Sequence, residues 1–166
     1  MIVCNIVSII MAVHASWVWL HLLSYGAMNR NTSNGLKVGG IPRVVGSITQ
    51  ADTLSRLNRL TDFSFDVAEI RWDRIGTGTA SVLSSCRQIE KAGTPVILTI
   101  RSSLEGGEWT GDEARRLALY KNALPHVSAV DVEISSTIFT AVIKAAHKAG
   151  KSVIGSFHDF ERTPDA

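Results

Sequence analysis

The segment Lys151-Ser-Val-Ile-Gly-Ser-Phe-His-Asp-Phe-Glu161 decides the fold, because it places a histidine directly after a short apolar run. The run Val153–Phe157 follows Ala149-Gly150, where a helix is expected to end, and it therefore predicts a buried strand. Barrel enzymes hold their chemistry just past the carboxyl ends of parallel strands. His158 occupies such a position and is a candidate functional residue, although a single histidine in a turn is more often a solvated loop residue.

The chain before this segment alternates between strand and helix patterns from Ile41 onward. The predicted strands are Val44–Thr49, Val67–Trp72, Val96–Ile100, Val127–Ile134 and Val153–Phe157. The predicted helices start near Asp52, near Thr79, at the capping box Thr110-Gly-Asp-Glu113 and at Thr137. Strands that alternate with helices pair in parallel through right-handed crossovers, so the sequence predicts an α/β fold. No closing element follows the last strand, which predicts open sheet edges at Val44–Thr49 and Val153–Phe157.

Length and composition limit the remaining possibilities. A chain of 166 residues is long enough for one domain with a sizeable core but short for a complete eight-stranded barrel. The 17 basic and 15 acidic residues give a net charge of +2, and no basic run carries interleaved aromatic residues, so nucleic acid is not an expected partner. Cys4 and Cys86 form neither a disulfide framework nor a metal-binding spacing, and no metal or cofactor is expected. Cys86 is expected to be a small buried residue on a helix.

Residues 1–28 differ in composition from the rest of the chain, and neither Asp, Glu, Lys nor Arg occurs before Arg30. The segment is long and apolar enough for a membrane-spanning helix, whose orientation by the positive-inside rule would leave the remainder cytoplasmic. The alternative is that translation starts at Met28 and the upstream segment is not part of the natural protein, and we favour this second interpretation. Residues 29–40 predict a flexible connector, followed by a cytoplasmic domain at residues 41–166.

Each predicted strand ends in polar residues that can serve chemistry. In chain order these are Ser47 and Thr49, then Glu69, Arg71 and Asp73, then Arg101 and Glu105, then Asp131 and Glu133, and finally His158. Charged side chains within a sheet core must pair with one another or meet a polar ligand. An ion-pair lattice accounts equally well for any one of them, whereas the whole set favours a small polyhydroxylated or carboxylated ligand. The Gly106-Gly107 pair is expected to let the backbone approach such a ligand closely.

These residues lie in five sequence blocks that resemble type I 3-dehydroquinate dehydratase in order and spacing. The blocks are Val45-Gly-Ser47-Ile-Thr, Glu69-Ile-Arg71-Trp-Asp73, Pro95-Val-Ile-Leu-Thr-Ile-Arg101-Ser-Ser-Leu-Glu105-Gly-Gly, Val130-Asp-Val-Glu133 and Ser156-Phe-His158-Asp-Phe-Glu-Arg-Thr-Pro164. The resemblance implies a (β/α)₈ TIM barrel, present here as an incomplete barrel of about five β/α units. It also implies conversion of 3-dehydroquinate to 3-dehydroshikimate in the shikimate pathway, by syn elimination of water through a lysine Schiff base.

The same resemblance assigns roles to individual residues. It implies that His158 is the general acid and base and that Glu105 is its carboxylate partner. The residues that would bind the substrate's oxygens are Ser47, Glu69, Arg71 and Arg101.

The resemblance further implies a Schiff-base lysine on the strand after the His158 turn, and the sequence reaches only Ala166. The lysines of the predicted barrel lie on helices or, for Lys151, at the start of a strand and so at the end opposite His158. The chain alone is therefore expected to be inactive. The alternative is a non-catalytic half-barrel that binds a small hydroxy acid or a protein partner. Its open sheet edges would favour a homo-oligomer or association with a missing C-terminal half.

Borohydride treatment of the chain in the presence of 3-dehydroquinate is expected to leave no covalent adduct. Borohydride reduces an imine to a stable amine, but no lysine of the predicted barrel lies beside His158 to form that imine. Intact-mass spectrometry measures the result. A specific adduct on one of these lysines, located by peptide mapping, would contradict the predicted strand ends.

Overall fold

The computed structural model describes the backbone of residues 7–13 and 16–22, and the backbone and side chains of residues 42–57, 64–76 and 78–160. The strands within these ranges are β1 (Val7–Val13), β2 (Ser16–Leu22), β3 (Val45–Ile48), β4 (Val67–Arg71), β5 (Val96–Thr99), β6 (Ala129–Glu133) and β7 (Ser152–Ser156). The α-helices are α1 (Ala51–Leu57), α2 (Trp72–Ile75), α3 (Thr79–Lys91), α4 (Glu113–Ala123) and α5 (Phe139–Lys148), with 3₁₀ turns at Ser103–Glu105 and Leu124–His126. The predicted connector at 29–40, Cys4 and the end of the fifth block after Phe160 lie outside the described residues.

One sheet in the order β1-β2-β3-β4-β5-β6-β7 contains all of these strands. Strands β3 to β7 are parallel, and helical connections join each to the next, as the alternating sequence pattern predicts. The register places Ser47 opposite Glu69 and Arg71 opposite Thr99, so polar side chains of neighbouring strands lie at the same level. The carboxyl ends of five parallel strands therefore meet along one polar edge.

The apolar core joins the parallel strands to the helices that cover them. Its strand residues include Ile70, Leu98 and Val130, and its helix residues include Val82, Cys86, Ile89, Val142 and Ala146. Cys86 is fully buried, which confirms its predicted place as a small apolar residue on a helix. Burial raises the pKa of its thiol to about 12, so the side chain stays neutral in the folded protein.

Helix α4 buries a face that is partly polar. Arg116, Tyr120 and Ala123 lie on one side of the helix and are all buried. The Tyr120 hydroxyl donates to the backbone carbonyl of Asp131 at 2.7 Å and accepts from the N–H of Ile100 at 3.2 Å. Burial raises the pKa of Tyr120, so the hydroxyl keeps the proton that it donates. The side chain thereby ties α4 to the carboxyl end of β5 and to β6.

Several element boundaries differ from the sequence prediction by one or two residues, and two of these differences have a clear physical reason. The residue that caps α4 is Asp112 and not Thr110, and its carboxylate accepts from the backbone N–H of Arg115 at 3.0 Å. A carboxylate at this position satisfies a free N–H and also places negative charge at the positive end of the helix. The second strand ends one residue early, because Trp72–Ile75 forms a short helix that Gly76 ends at φ +63°.

The apolar N-terminal segment forms strands where it is described, and not the membrane-spanning helix considered above. Its described sequence is rich in Val, Ile and Trp, which fit a pleated sheet well. β1 and β2 are antiparallel, and β2 continues onto β3 through the pairs Val18–Gly46 and Trp19–Val45. The predicted open edge at Val44–Thr49 is therefore wrong, because β2 supplies backbone partners there. Across the described ranges, no helix combines the length and apolarity that crossing a membrane requires.

Tyr120→Phe is expected to lower the free energy of unfolding by about 1–3 kcal/mol, because the buried carbonyl of Asp131 and the N–H of Ile100 lose a partner. Urea denaturation of the whole chain measures the change. The control is Lys121→Ala, an exposed substitution on the same helix, which should stay within about 0.5 kcal/mol of the parent. Equal stability of Tyr120→Phe and the parent would show that this hydroxyl contributes nothing to the fold.

Candidate active site

All six residues predicted for the site lie at or just beyond the carboxyl ends of the parallel strands. Ser47 is on β3, and Glu69 and Arg71 are on β4. Arg101 and Glu105 follow β5, and His158 follows β7. The alternation of strands and helices produces this convergence, because parallel strands present the same end at one edge of the sheet.

Glu69 is held by two hydroxyl groups from the neighbouring strands. Its Oε2 accepts from Ser47 Oγ and its Oε1 accepts from Thr99 Oγ1, both at 2.8 Å. Each hydroxyl directs its proton at the carboxylate, so the lone pairs of the hydroxyl oxygen face other partners. The group of three is thus suited to accept hydrogen bonds from the hydroxyl groups of a ligand.

Arg71 is oriented by Asp73 through two parallel hydrogen bonds. Nε donates to Oδ1 at 3.0 Å and Nη2 donates to Oδ2 at 2.8 Å, while the Asp73 side chain is fully buried. Burial works to lower the pKa of Arg71, but the hydrogen bond and charge of Asp73, with the charges of Glu69 and Asp131, raise it overall. The guanidinium is therefore a fixed cation beside the carboxylates of the site.

Arg101 is buried to 6 % exposure and donates to two internal acceptors. Nη1 donates to Ser156 Oγ at 2.6 Å and Nη2 donates to Asp131 Oδ1 at 2.8 Å. Burial raises the pKa of Asp131, although the charge of Arg101 and the hydrogen bond from Ser156 oppose that rise. A guanidinium carries five N–H donors, so these two bonds leave donors for a ligand.

The charges of the site act on one another across four strands. Glu69 on β4 and His158 after β7 both influence the pKa of Asp131 on β6, in opposite directions. Asp131 and Glu69 in turn influence the pKa of Arg71. The residues that the sequence placed at separate strand ends therefore form one electrostatic cluster.

Glu133 connects this cluster to helix α4. Its Oε1 accepts from the backbone N–H of Ser102 at 2.7 Å, and its Oε2 forms an ion pair with Arg116 Nη1 at 3.0 Å. Arg116 is 1 % exposed and also donates to the carbonyl of Ile100 at 3.1 Å. Glu133 is therefore part of an ion-pair network, which is the alternative considered from the sequence. It holds the backbone of Ser102, next to Arg101.

Glu105 and His158 form a hydrogen-bonded pair. Glu105 Oε2 accepts from the backbone N–H of His158 at 2.9 Å and lies 3.1 Å from Nδ1 of the same residue. An ionised carboxylate only accepts hydrogen bonds, so the contact suits a ring that carries a proton on Nδ1, and in the neutral ring of that kind Nε2 holds the lone pair. The His158 side chain is 34 % exposed, so a ligand can reach the ring. Its ring stacks on Phe160 at 6.5 Å between centroids.

The two glycines after Glu105 make room for close contacts within the loop. A Cβ on Gly107 would lie 2.1 Å from the carbonyl oxygen of Arg101. A Cβ on Gly106, whose φ is +76°, would lie 2.7 Å from the ring of Phe160. The loop folds back on the Arg101 backbone and on this ring, and only glycine leaves room for both contacts.

Several partners in the site were not assigned by the sequence analysis. They are Thr99, Arg116, Ser135 and Ser156, together with Asp131, which was noted only as a strand-end residue. The period of two along a strand gave a usable signal for Thr99 and Ser156, which precede Arg101 and His158 by two residues. Arg116 gave none, because an arginine in a helix is ordinarily solvated. Within residues 42–57, 64–76 and 78–160, no group of three His, Cys, Asp or Glu side chains is placed to hold a metal ion.

Comparisons with known proteins identify the family of the chain and agree with its parallel α/β fold. Residues 44–166 match the family model described as type I 3-dehydroquinase. The 3-dehydroquinate dehydratase of Methanococcoides burtonii is 33 % identical over 128 residues, which cover 75 % of this chain and 54 % of that protein. That of Methanosarcina barkeri is 43 % identical over 106 residues, which cover 60 % and 44 %. The structure of 3-dehydroquinate dehydratase from Enterococcus faecalis matches with a TM-score of 0.65 at 28 % identity, covering 76 % of this chain and 57 % of that one.

The parallel sheet, its helical connections and the polar site at the strand ends define an α/β protein of the TIM-barrel type, of which the chain contains about five β/α units. The chain belongs to the type I 3-dehydroquinase family, which confirms the resemblance carried by the five sequence blocks. It spans about half the length of the curated relatives it matches.

Arg101→Met is expected to lower the free energy of unfolding by about 3–5 kcal/mol, because Asp131 then remains buried without its cation. Adding Asp131→Asn should recover part of that loss, since the buried charge is removed while the amide still accepts from Ser156. Urea denaturation of the parent, the two single variants and the double variant gives the coupling energy.

The exposed pair Arg74–Glu108, at 3.9 Å, is the matched control for this cycle. Its coupling energy should lie between about 0 and 1 kcal/mol, because water screens both charges. Strictly additive effects of the Arg101 and Asp131 substitutions would contradict the pairing.

Proposed function

We propose that the chain supplies the substrate-binding and proton-transfer part of a 3-dehydroquinate dehydratase site. The observation that carries the proposal is the Glu105–His158 pair, which lies among buried arginines and carboxylates at the strand ends of a type I 3-dehydroquinase fold. The reaction removes a proton next to a carbonyl and expels the neighbouring hydroxyl as water, so it requires both a base and an acid. One histidine can serve both steps in turn.

Ser47, Glu69, Arg71 and Arg101 are the residues proposed to hold the substrate. 3-Dehydroquinate carries hydroxyl groups, a ketone and a carboxylate. Glu69 and the Ser47 oxygen present acceptors for hydroxyl groups, and the two arginines present donors for the oxygens that carry negative charge. Because each of these side chains is already held by a neighbour, little ordering remains to be done when the substrate binds.

His158 is the proposed general acid and base, and Glu105 is its partner. With the ring proton on Nδ1, the free lone pair of Nε2 takes the substrate proton, and the resulting imidazolium returns a proton to the leaving hydroxyl. The lysine Schiff base that the family resemblance implies makes the carbonyl a stronger electron sink. The described lysines lie on helices or before β7, so the proposal assigns to this chain only binding and proton transfer.

A chimera tests the proposal: residues 44–166 are joined to the remaining portion of the Methanococcoides burtonii relative, and 3-dehydroshikimate formation is followed by its ultraviolet absorbance. The chimera is expected to turn over 3-dehydroquinate. His158→Ala within it should lower kcat by about 10²- to 10⁴-fold with a smaller change in KM, because the residue moves protons and contributes little to binding.

The matched control is His147→Ala, an exposed histidine on helix α5, which should retain the activity of the parent. Activity of His158→Ala within a few-fold of the parent chimera would remove the proposed role of that residue. A folded chimera that neither binds nor converts 3-dehydroquinate would remove the proposed function as a whole.

A further inference from the structure

Ser135 reaches Glu105 from the loop that follows β6. Its hydroxyl donates a short hydrogen bond to Glu105 Oε1, the carboxylate oxygen that does not face His158. Ser135 itself is exposed, whereas Glu105 is 7 % exposed. Because Oε2 accepts from the backbone of His158, this one carboxylate joins the loops that follow β5, β6 and β7.

We propose that Ser135 is a positioning residue that fixes the rotation of the Glu105 carboxylate and thereby holds Oε2 against His158. Its significance for catalysis rests on the proposed function, while the positioning itself does not. Ser135 bonds to Glu105, and Glu105 bonds to the ring of His158, so Ser135 acts on the histidine through Glu105.

The physical reason lies in the last torsion of a glutamate side chain. That torsion has a broad profile, so the plane of the carboxylate rotates at little cost unless both oxygens have partners. Oε2 has its partners in the backbone N–H and the ring of His158, at 2.9 and 3.1 Å. A hydroxyl bonded to an ionised oxygen makes one of the stronger hydrogen bonds in proteins, and Ser135 supplies it to Oε1.

The neighbouring hydroxyl in the same loop belongs to a different network. Ser136 Oγ accepts from Arg116 Nη2 at 2.7 Å and donates to Glu113 at 3.0 Å, so it stabilises the start of α4. Ser135 therefore bonds to the carboxylate beside His158, whereas the adjacent Ser136 bonds to side chains of helix α4.

Exchange of the His158 Nδ1–H with water, measured by NMR on the isotopically labelled full chain, tests the proposal. Ser135→Ala should exchange this proton about tenfold faster, the factor that corresponds to losing a hydrogen bond to a charged group. Ser135→Thr keeps the hydroxyl and should exchange it at the rate of the parent. Ser135→Cys keeps the size but weakens the donor, and should behave like Ser135→Ala.

Thr137→Ala is the matched control, because Thr137 is exposed in the same turn, and it should leave the exchange rate unchanged. An unchanged rate in Ser135→Ala and Ser135→Cys would overturn the proposal. So would equally fast exchange in Ser135→Thr or in Thr137→Ala, since the effect would then not follow the hydroxyl. The backbone amide of Leu98, in the buried strand β5, reports whether each variant remains folded.

The exchange measurement needs no substrate, so the two proposals fail separately. If exchange differs as expected in the full chain but the chimera does not bind 3-dehydroquinate, the results support the role of Ser135 and count against the proposed function. If the chimera is active but exchange is equal in all variants, the results support the proposed function and count against the role of Ser135.

Discussion

The burial of Arg101 among carboxylates is the constraint on which the rest of the site depends. A guanidinium at 6 % exposure is costly to bury without hydrogen-bond and ion-pair acceptors, and Asp131, Ser156 and Glu133 surround it. Those acceptors come from β6 and β7, so satisfying one cation requires three parallel strands to keep their register. Breaking the set would leave a buried charge without a partner, which costs more than the pair itself contributes. The arrangement therefore specifies the relative position of the strands more than it adds to their stability.

Acidic side chains also hold the loops of the site, each through a backbone N–H of another segment. Glu133 accepts from Ser102, Glu105 accepts from His158, and Asp73 accepts from Glu108 at 3.2 Å. In each case the same carboxylate also binds a charged or titratable side chain: Arg116, the His158 ring and Arg71 respectively. Loop position and side-chain orientation are consequently coupled. A site prepared in this way needs little reorganisation when a ligand arrives.

Much of this could be predicted from the sequence, and the failures have identifiable causes. The alternation of apolar runs and helical patterns predicts five parallel strands, and a period of two puts Glu69 and Arg71 on the same face. The cap of α4 was misassigned because Thr110 and Asp112 are both good capping residues, and only backbone conformation decides between them. A membrane-spanning helix was considered for the apolar N-terminal segment because hydropathy alone does not distinguish such a helix from a buried strand, and in the structure the segment pairs with β3 as a strand.

By itself the sequence determined the fold class, the family and the ends of the strands at which Ser47, Glu69, Arg71, Arg101, Glu105 and His158 would lie. Hydrophobic period and motif spacing are local properties of the chain, so they can be read without coordinates. Only the tertiary structure decided the partners: Thr99 with Glu69, Arg116 with Glu133, and Ser135 with Glu105. These contacts join residues at least 17 positions apart in the sequence. A carboxylate that is buried needs a hydrogen-bond or ion-pair partner, and only the fold brings such a partner within reach.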